Sequence, residues 1–167
     1  YLNEFLNFSR GTKLKLKLTD FESYLTGIIM IVKHSFPTDI RIVKKKEVIP
    51  RVMIDQEQLR QVLVNFLSNS RDALNGAASP ACEVILDYNK KELLITVKDN
   101  GCGIKAGDLK DIFVPFFTTK ETGLGIGLSI SKSIVKKHGG RICVKSRAGA
   151  GAQFTMAIPL GSKGKIK

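Results

Sequence analysis

Apolar residues recur along this chain with two periods, and the periods divide it into elements. Over 55–74, Leu59, Val62, Leu63, Phe66, Leu67 and Leu74 fall on one face of a helix. Asp55 stands at the N-cap position with Gln58 three residues on, a variant of the capping box, so this is the most regular predicted helix. A second helix is predicted over 21–35, capped by Asp20. It buries Leu25, Ile28, Ile29 and Val32 and stops before Pro37. A third starts after Gly125 and runs to about His138, burying Leu128, Ile130 or Ser131, Ile134 and Val135, with Gly139 and Gly140 ending it. Leu2, Phe5 and Leu6 have the spacing of the last turns of a further helix over 1–10, and a short helix is expected around 108–112.

Period two marks the strands. Residues 13–18 alternate strictly and suit a short strand or an extended linker. Ile40–Lys44 and Val52–Ile54 read as strands around a basic turn. Cys82–Tyr88 and residues 92–97 read as a hairpin turning at Asn89-Lys90-Lys91, and Arg141–Ser146 with residues 153–160 as a closing hairpin. Residues 161–167 form a basic tail expected to fray. The predicted class is α+β, an α/β sandwich with one mixed, mostly antiparallel sheet and helices on one face. The other face must then be polar or covered by a partner.

The 167 residues, 43% hydrophobic and 25% charged, suit one folded domain. No apolar run approaches the roughly 18 residues of a membrane helix. The chain opens on Tyr1 rather than Met, and is expected to be a piece of a longer protein. The net charge of +12 is spread over separate lysine groups without interleaved aromatic residues, so no nucleic-acid partner is expected. An anionic nucleotide would still benefit from that field. Cys82, Cys102 and Cys143 have no metal-binding spacing and suit free thiols in a reducing, cytoplasmic setting. Cys102 lies in a glycine turn and is the most open of them to modification.

The candidate chemistry is concentrated in residues 97–128. An apolar strand delivers Asp99 to a glycine turn at Gly101 and Gly103, and a second cluster, Gly123, Gly125 and Gly127, opens a helix. Glycine admits positive φ and close approach of a ligand to the backbone, and a glycine-rich helix entry presents free N–H groups to phosphate. On the regular helix, Asn65, Asn69 and Asp72 stand at i, i+4 and i+7 as a polar stripe beside the apolar face. Such residues are poor helix formers, so the stripe points to a ligand or an ion.

These residues resemble a known family. DQEQLRQVLVNFLSNSRDAL (55–74) is similar to the N box of sensor histidine kinases, DNGCGI (99–104) to their G1 box, FVPFFTTK (113–120) to their F box and GLGIGL (123–128) to their G2 box. The closing hairpin is also similar, and the likeness runs over about 16–159 in family order. The wider superfamily is the Bergerat-fold ATPases. The resemblance implies 1–15 as the end of a dimerisation helix with a linker, 16–160 as the ATP-binding domain and 161–167 as the tail. It implies ATP and Mg2+ as cofactors. Asp99 would accept the adenine amine, Gly101 and Gly103 would let the ring approach, and Asn69 with Asn65 would hold Mg2+. Lys120 and the backbone of Gly125 and Gly127 would stabilise phosphates. Asp72, Ile104, Phe113, Thr119, Gly123, Leu124, Ile126 and Leu128 complete the implied nucleotide site. Asn65, Asn69 and Lys120 are the implied catalytic set. The segment between Ile104 and Gly123 would be an ATP lid anchored by Phe113, Phe116 and Phe117.

Two departures stand out: Leu124 replaces a small hydroxyl residue of the G2 box, and Ala152 replaces the Ser or Thr after Gly151. Neither His34 nor His138 has the context of a phosphoacceptor. The resemblance therefore implies transfer to a histidine on an upstream dimerisation domain, then to an aspartate of a response regulator. The full protein would be a homodimer, the present chain a monomer. A hydrolysing ATPase like gyrase is the alternative; such relatives carry Glu where this chain has Asn65. A non-catalytic nucleotide-binding module is the third reading.

Overall fold

The structure, a computed structural model, describes residues 13–120 and 123–161. The helix end expected over 1–10 and the tail beyond Gly161 lie outside the described residues. Among those described, the strands are β1 (Lys17–Thr19), β2 (Ile40–Lys44), β3 (Val52–Ile54), β4 (Cys82–Tyr88), β5 (Glu92–Asp99), β6 (Arg141–Ser146) and β7 (Ala152–Pro159). The helices are α1 (Phe21–Val32), continued by a 3-10 turn over Lys33–Ser35, α2 (Gln56–Ala73) and α3 (Gly127–Lys137).

Five strands form a mixed sheet in the order β2-β4-β5-β7-β6, with β2 parallel to β4 and the other neighbours antiparallel. The fold is the expected α+β, Bergerat-type arrangement. The two segments around the basic turn are strands, as expected, and each pairs elsewhere rather than with the other. Parallel pairing needs a crossover of a dozen or more residues, which α2 supplies between β2 and β4. The three residues of β3 instead pair antiparallel with β1, making a second, two-stranded sheet. The strand predicted to end at residue 97 also runs on to Asp99, so Asp99 is its last residue rather than part of the turn.

Alternation sorts the faces of the sheet. Val84, Leu86, Leu93, Ile95, Val97 and Met156 are wholly buried beneath the helices. On the opposite face Arg41, Glu83, Lys98, Gln153 and Lys145 form one cross-strand row. Beside it the Thr96 and Thr155 hydroxyls share a hydrogen bond of 2.8 Å. Val43, Ile85 and Leu94 lie half-buried on that same face among its polar residues.

Helix α2 is the spine of the core. Leu59, Val62, Leu63, Phe66 and Leu67 are fully buried; each such side chain contributes about 1.5–3 kcal/mol on burial. Asp55 caps the helix, its Oδ1 accepting from the Gln58 N–H at 3.1 Å. The return half of a capping box is made differently. The Gln58 amide bonds to the Asp55 carboxylate, and the Asp55 N–H donates to His138 Nε2 at 3.0 Å. His138 Nδ1 in turn lies 2.8 Å from the Ile134 carbonyl, which fixes the Nδ1–H tautomer. His138 is thus a structural tie between the end of α3 and the start of α2. Gly139, at φ 74°, closes α3: its N–H bonds to the Lys136 carbonyl and that of Gly140 to the Val135 carbonyl, the Schellman pattern.

The helix expected over 108–112 does not form. Ile112 N–H reaches the Asp108 carbonyl, but the following bond, from Val114 to Asp111, is already a tight turn. Pro115 disfavours helical geometry at Val114 and so stops propagation. Ile112, only 7% exposed, still anchors the segment to the core.

Candidate nucleotide site

Strand β5 ends where α2 ends, and this brings Asp99 beneath the last turn of the helix. Asp99 is 5% exposed. Its Oδ1 accepts from the Gly101 N–H at 2.9 Å and the Ala152 N–H at 3.2 Å. Its Oδ2 accepts from the Ser70 hydroxyl at 3.0 Å. Ser70 escaped the sequence reading. The signal was present: it is a hydroxyl at a core-facing position, between Leu67 and Leu74, and it is 1% exposed. Ala152 keeps a backbone donor on Asp99 although its side chain offers none.

Above Asp99 opens a groove of about 1670 Å³ that follows α2 toward Asp55. Asn65, Asn69 and Asp72 line one wall, as their shared stripe predicts. Gly103, Ile104, Thr119 and Lys120 line a second stretch, and Gly123, Leu124, Gly125, Ile126, Gly127 and Leu128 complete the glycine-rich edge. Leu124 is 57% exposed there.

Two expected site residues do not line the groove. A Cβ on Gly101 would lie 2.3 Å from the Ala73 carbonyl oxygen, so this glycine lets the turn pack on the end of α2. Phe113 is partly buried against the core, with the Lys132 ammonium 5.3 Å from its ring centre. Phe117 also packs on the core, whereas Phe116, expected as an anchor, is 67% exposed. Gly103, at φ 67°, lies in the groove wall, but a Cβ there would meet the Arg147 carbonyl at 2.1 Å. Gly101, Gly103 and Gly125 each serve first to bring backbone close to backbone.

Asn65 sits across from the start of α3. Its Nδ2 donates to Ser131 Oγ at 2.9 Å, and Ser131 donates back to the Gly127 carbonyl. A side chain at Gly127 would collide with the Asn65 amide, 2.4 Å from Oδ1. Lys120 donates to Asn69 Oδ1 at 2.8 Å and to Asp72 Oδ2 at 2.7 Å. Arg71 takes the other oxygen of Asp72. Partial burial opposes ionisation of Asp72. The hydrogen bonds and charges of Lys120 and Arg71 outweigh it and hold the carboxyl below its ordinary range. Cys82, which faces Asp99 across the β4–β5 ladder, has its thiol pushed up to about 12 by burial and by the charges of Asp99 and Glu83.

The site therefore offers a buried acceptor at one end, amide and carboxylate oxygens along α2, and a glycine-rich helix entry opposite. No group of three or more His, Cys, Asp or Glu side chains with metal-binding geometry occurs among the described residues. Any cation here would rest on amide and single carboxylate oxygens.

Residues 54–162 match the family described as histidine kinase-, DNA gyrase B-, and HSP90-like ATPase. The chain belongs to that family. Among its curated relatives, the signal transduction histidine-protein kinase AtoS of Escherichia coli (strain K12) is 41% identical over 110 residues, covering 66% of this chain and 18% of AtoS. The sensor histidine kinase ZraS of Salmonella typhimurium is 32% identical over 161 residues, covering 95% of this chain and 34% of ZraS. The chain thus spans about a fifth to a third of the length of these relatives. Among solved structures, the catalytic domain of histidine kinase ThkA superposes with TM-score 0.76 at 25% identity, covering 88% of this chain and 97% of that one. Full-length ShkA in complex with AMPPNP superposes with TM-score 0.83 at 24% identity, covering 96% of this chain and 35% of that one, and shares the fold.

Proposed function

We propose that this chain is the ATP-binding catalytic domain of a sensor histidine kinase, and that with Mg2+ it presents the γ-phosphate of ATP to a histidine on another domain. The observation that carries this reading is the hydrogen-bond state of Asp99. Three protein donors already occupy its carboxylate. Of the roughly four acceptor positions a carboxylate has, one remains. A buried acceptor with one open position favours a ligand that donates, as the adenine amine does, over one that presents a carbonyl, as guanine does.

The α2 oxygens fit Mg2+, which takes one or two protein ligands and completes its shell with phosphates and water. The bound nucleotide and metal supply the transferable phosphoryl group and neutralise its charge. The chain's own residues supply position. Asp99 fixes the base, the N–H groups entering α3 at Gly125 and Gly127 face the phosphates, and Lys120 adds a positive charge from the opposite wall. Asn69 is the metal ligand in this reading, with Asn65 beside it. Because Asn65 is an amide, it cannot deprotonate water. That favours transfer over hydrolysis.

The acceptor histidine lies elsewhere in this reading. His138 is committed to the α2–α3 tie, and His34 is exposed in the 3-10 turn and does not line the groove. The acceptor belongs to an upstream dimerisation domain, joined through residues 1–15 to the catalytic unit over 16–160, and the phosphoryl group passes on to a response-regulator aspartate. The whole protein is a homodimer in this reading and works in the cytoplasm. Among the described residues no helix is long and apolar enough to cross a membrane. Titration calorimetry with Mg2+ tests the nucleotide step: ADP and ATP should bind and GDP and GTP should bind at least about tenfold more weakly. Equal affinity for both bases would refute the reading of Asp99.

A further inference from the structure

Lys120 makes an unusual pair of contacts for a site that is to receive a metal. Its ammonium lies 2.8 Å from Asn69 Oδ1 and 2.7 Å from Asp72 Oδ2. These two oxygens stand three residues apart on α2 and are the hard ligands of that wall. The other oxygen of Asp72 is held by Arg71 at 2.8 Å. An ammonium and a dehydrated divalent cation cannot share the same two oxygens: both need the lone pairs, and their charges repel.

The segment that carries Lys120 is held under strain. Phe116 has φ 68°, the left-handed region, which is an outlier for a bulky side chain. Such a conformation persists only where the surroundings enforce it. One restraint is visible beside it: a Cβ on Gly125 would lie 2.5 Å from the Phe117 carbonyl oxygen and 2.6 Å from the Phe116 carbonyl carbon, so the two backbones are in direct contact. The Lys120 contacts on α2 are the second restraint.

We infer that Lys120 is a built-in counterion that occupies the cation position between Asn69 and Asp72 in the nucleotide-free protein. Entry of the metal with its nucleotide displaces the lysine, transfers its charge from Asp72 to the phosphates, and frees the strained segment around Phe116 to rearrange. Asp72 then holds Lys120 in the nucleotide-free protein and, once the lysine leaves, joins Asn69 in receiving the metal. This rests on the MgATP reading above and goes beyond it, because it makes metal entry and release of the segment a single exchange.

The test uses Mn2+ alone, followed by the loss of the free-ion paramagnetic resonance signal, with no nucleotide present. Lys120→Met should bind Mn2+ at least about tenfold more tightly than the unaltered chain, the scale of one charge-assisted contact. The gain should vanish in Lys120→Met combined with Asp72→Asn. Amide exchange over 112–117 should be faster in Lys120→Met and in Asp72→Asn than in the unaltered chain. Equal Mn2+ affinity with and without Lys120 would overturn the inference. So would faster exchange with unchanged Mn2+ affinity, since the lysine would then be a contact of the loop only. The nucleotide-binding reading fails separately, by absence of ADP binding to the unaltered chain in Mg2+.

Discussion

Replacing Asp99 by Asn changes one atom and isolates one interaction. The carboxylate has unequal oxygens: Oδ1 accepts two backbone N–H groups and Oδ2 one hydroxyl. The orientation of an asparagine is therefore dictated. With its oxygen at the Oδ1 position it keeps both backbone donors, and its NH2 meets Ser70, whose hydroxyl can turn to accept. The flipped amide would leave two buried N–H groups facing a donor, each at a cost of about 1–3 kcal/mol, so it is excluded. The NH2 then points where the adenine amine should dock. A charge-assisted hydrogen bond, worth about 1.5–3 kcal/mol, is replaced by two donors facing one another. ADP affinity should fall roughly ten- to a hundredfold, while the fold loses no more than about 1 kcal/mol, the exchange of one charged acceptor for a neutral one. Calorimetry with MgADP gives the first quantity and thermal melting the second. Unchanged affinity would move base recognition to another residue. A collapse in stability with proportionate loss of binding would make Asp99 a structural group first.

Other outcomes follow from the same geometry. Asn69→Ala should leave the melting temperature unchanged, because Ala is the better helix former, yet should shrink the extra nucleotide affinity that Mg2+ gives. It should also slow phosphotransfer to an added acceptor domain at least about tenfold, or roughly 1.4 kcal/mol; a lowered melting temperature with intact Mg2+ dependence would make it a packing residue. His138→Ala leaves the Asp55 N–H without its acceptor and should destabilise the fold by about 1–3 kcal/mol in denaturant titration, without altering nucleotide affinity. Asp55 is buried, which opposes its ionisation, but hydrogen bonds from the Lys15 and Gln58 backbone outweigh this and lower its pKa. A carboxyl with a depressed folded-state pKa contributes stability above its unfolded pKa and loses it as pH falls through the folded value. The Asp55→Asn variant should therefore be less stable than the unaltered chain at neutral pH, with the difference shrinking as pH falls through the folded-state pKa of Asp55; a stability difference that does not change with pH would contradict this.

The helices were the most legible part of the chain. The stripe of α2 specified its buried face, its cap and the shared wall of Asn65, Asn69 and Asp72, because a 3.6-residue period fixes side-chain direction without tertiary information. The partner of β3 was not legible. Three residues carry no record of what they pair with, and the crossover that settles it is a property of β2, α2 and β4 together. The glycines illustrate a different gap. Their need for backbone freedom was readable, but whether the close neighbour is a ligand or another strand of backbone was not: Gly101 faces Ala73. Ser70 and Ser131 were legible as hydroxyls at core-facing helix positions, but not as the groups that orient Asp99 and Asn65, because those partners are 29 and 66 residues away.

Transfer of phosphate from ATP to a histidine on another domain can be read directly with labelled nucleotide. γ-Labelled ATP and Mg2+ should be incubated with this chain, with and without a histidine-bearing dimerisation domain from the same protein. Acid-labile label should appear on the added domain's histidine, and none on His34 or His138 whether or not that domain is present. Label released only as free phosphate, or bound to either histidine of this chain, would contradict that transfer.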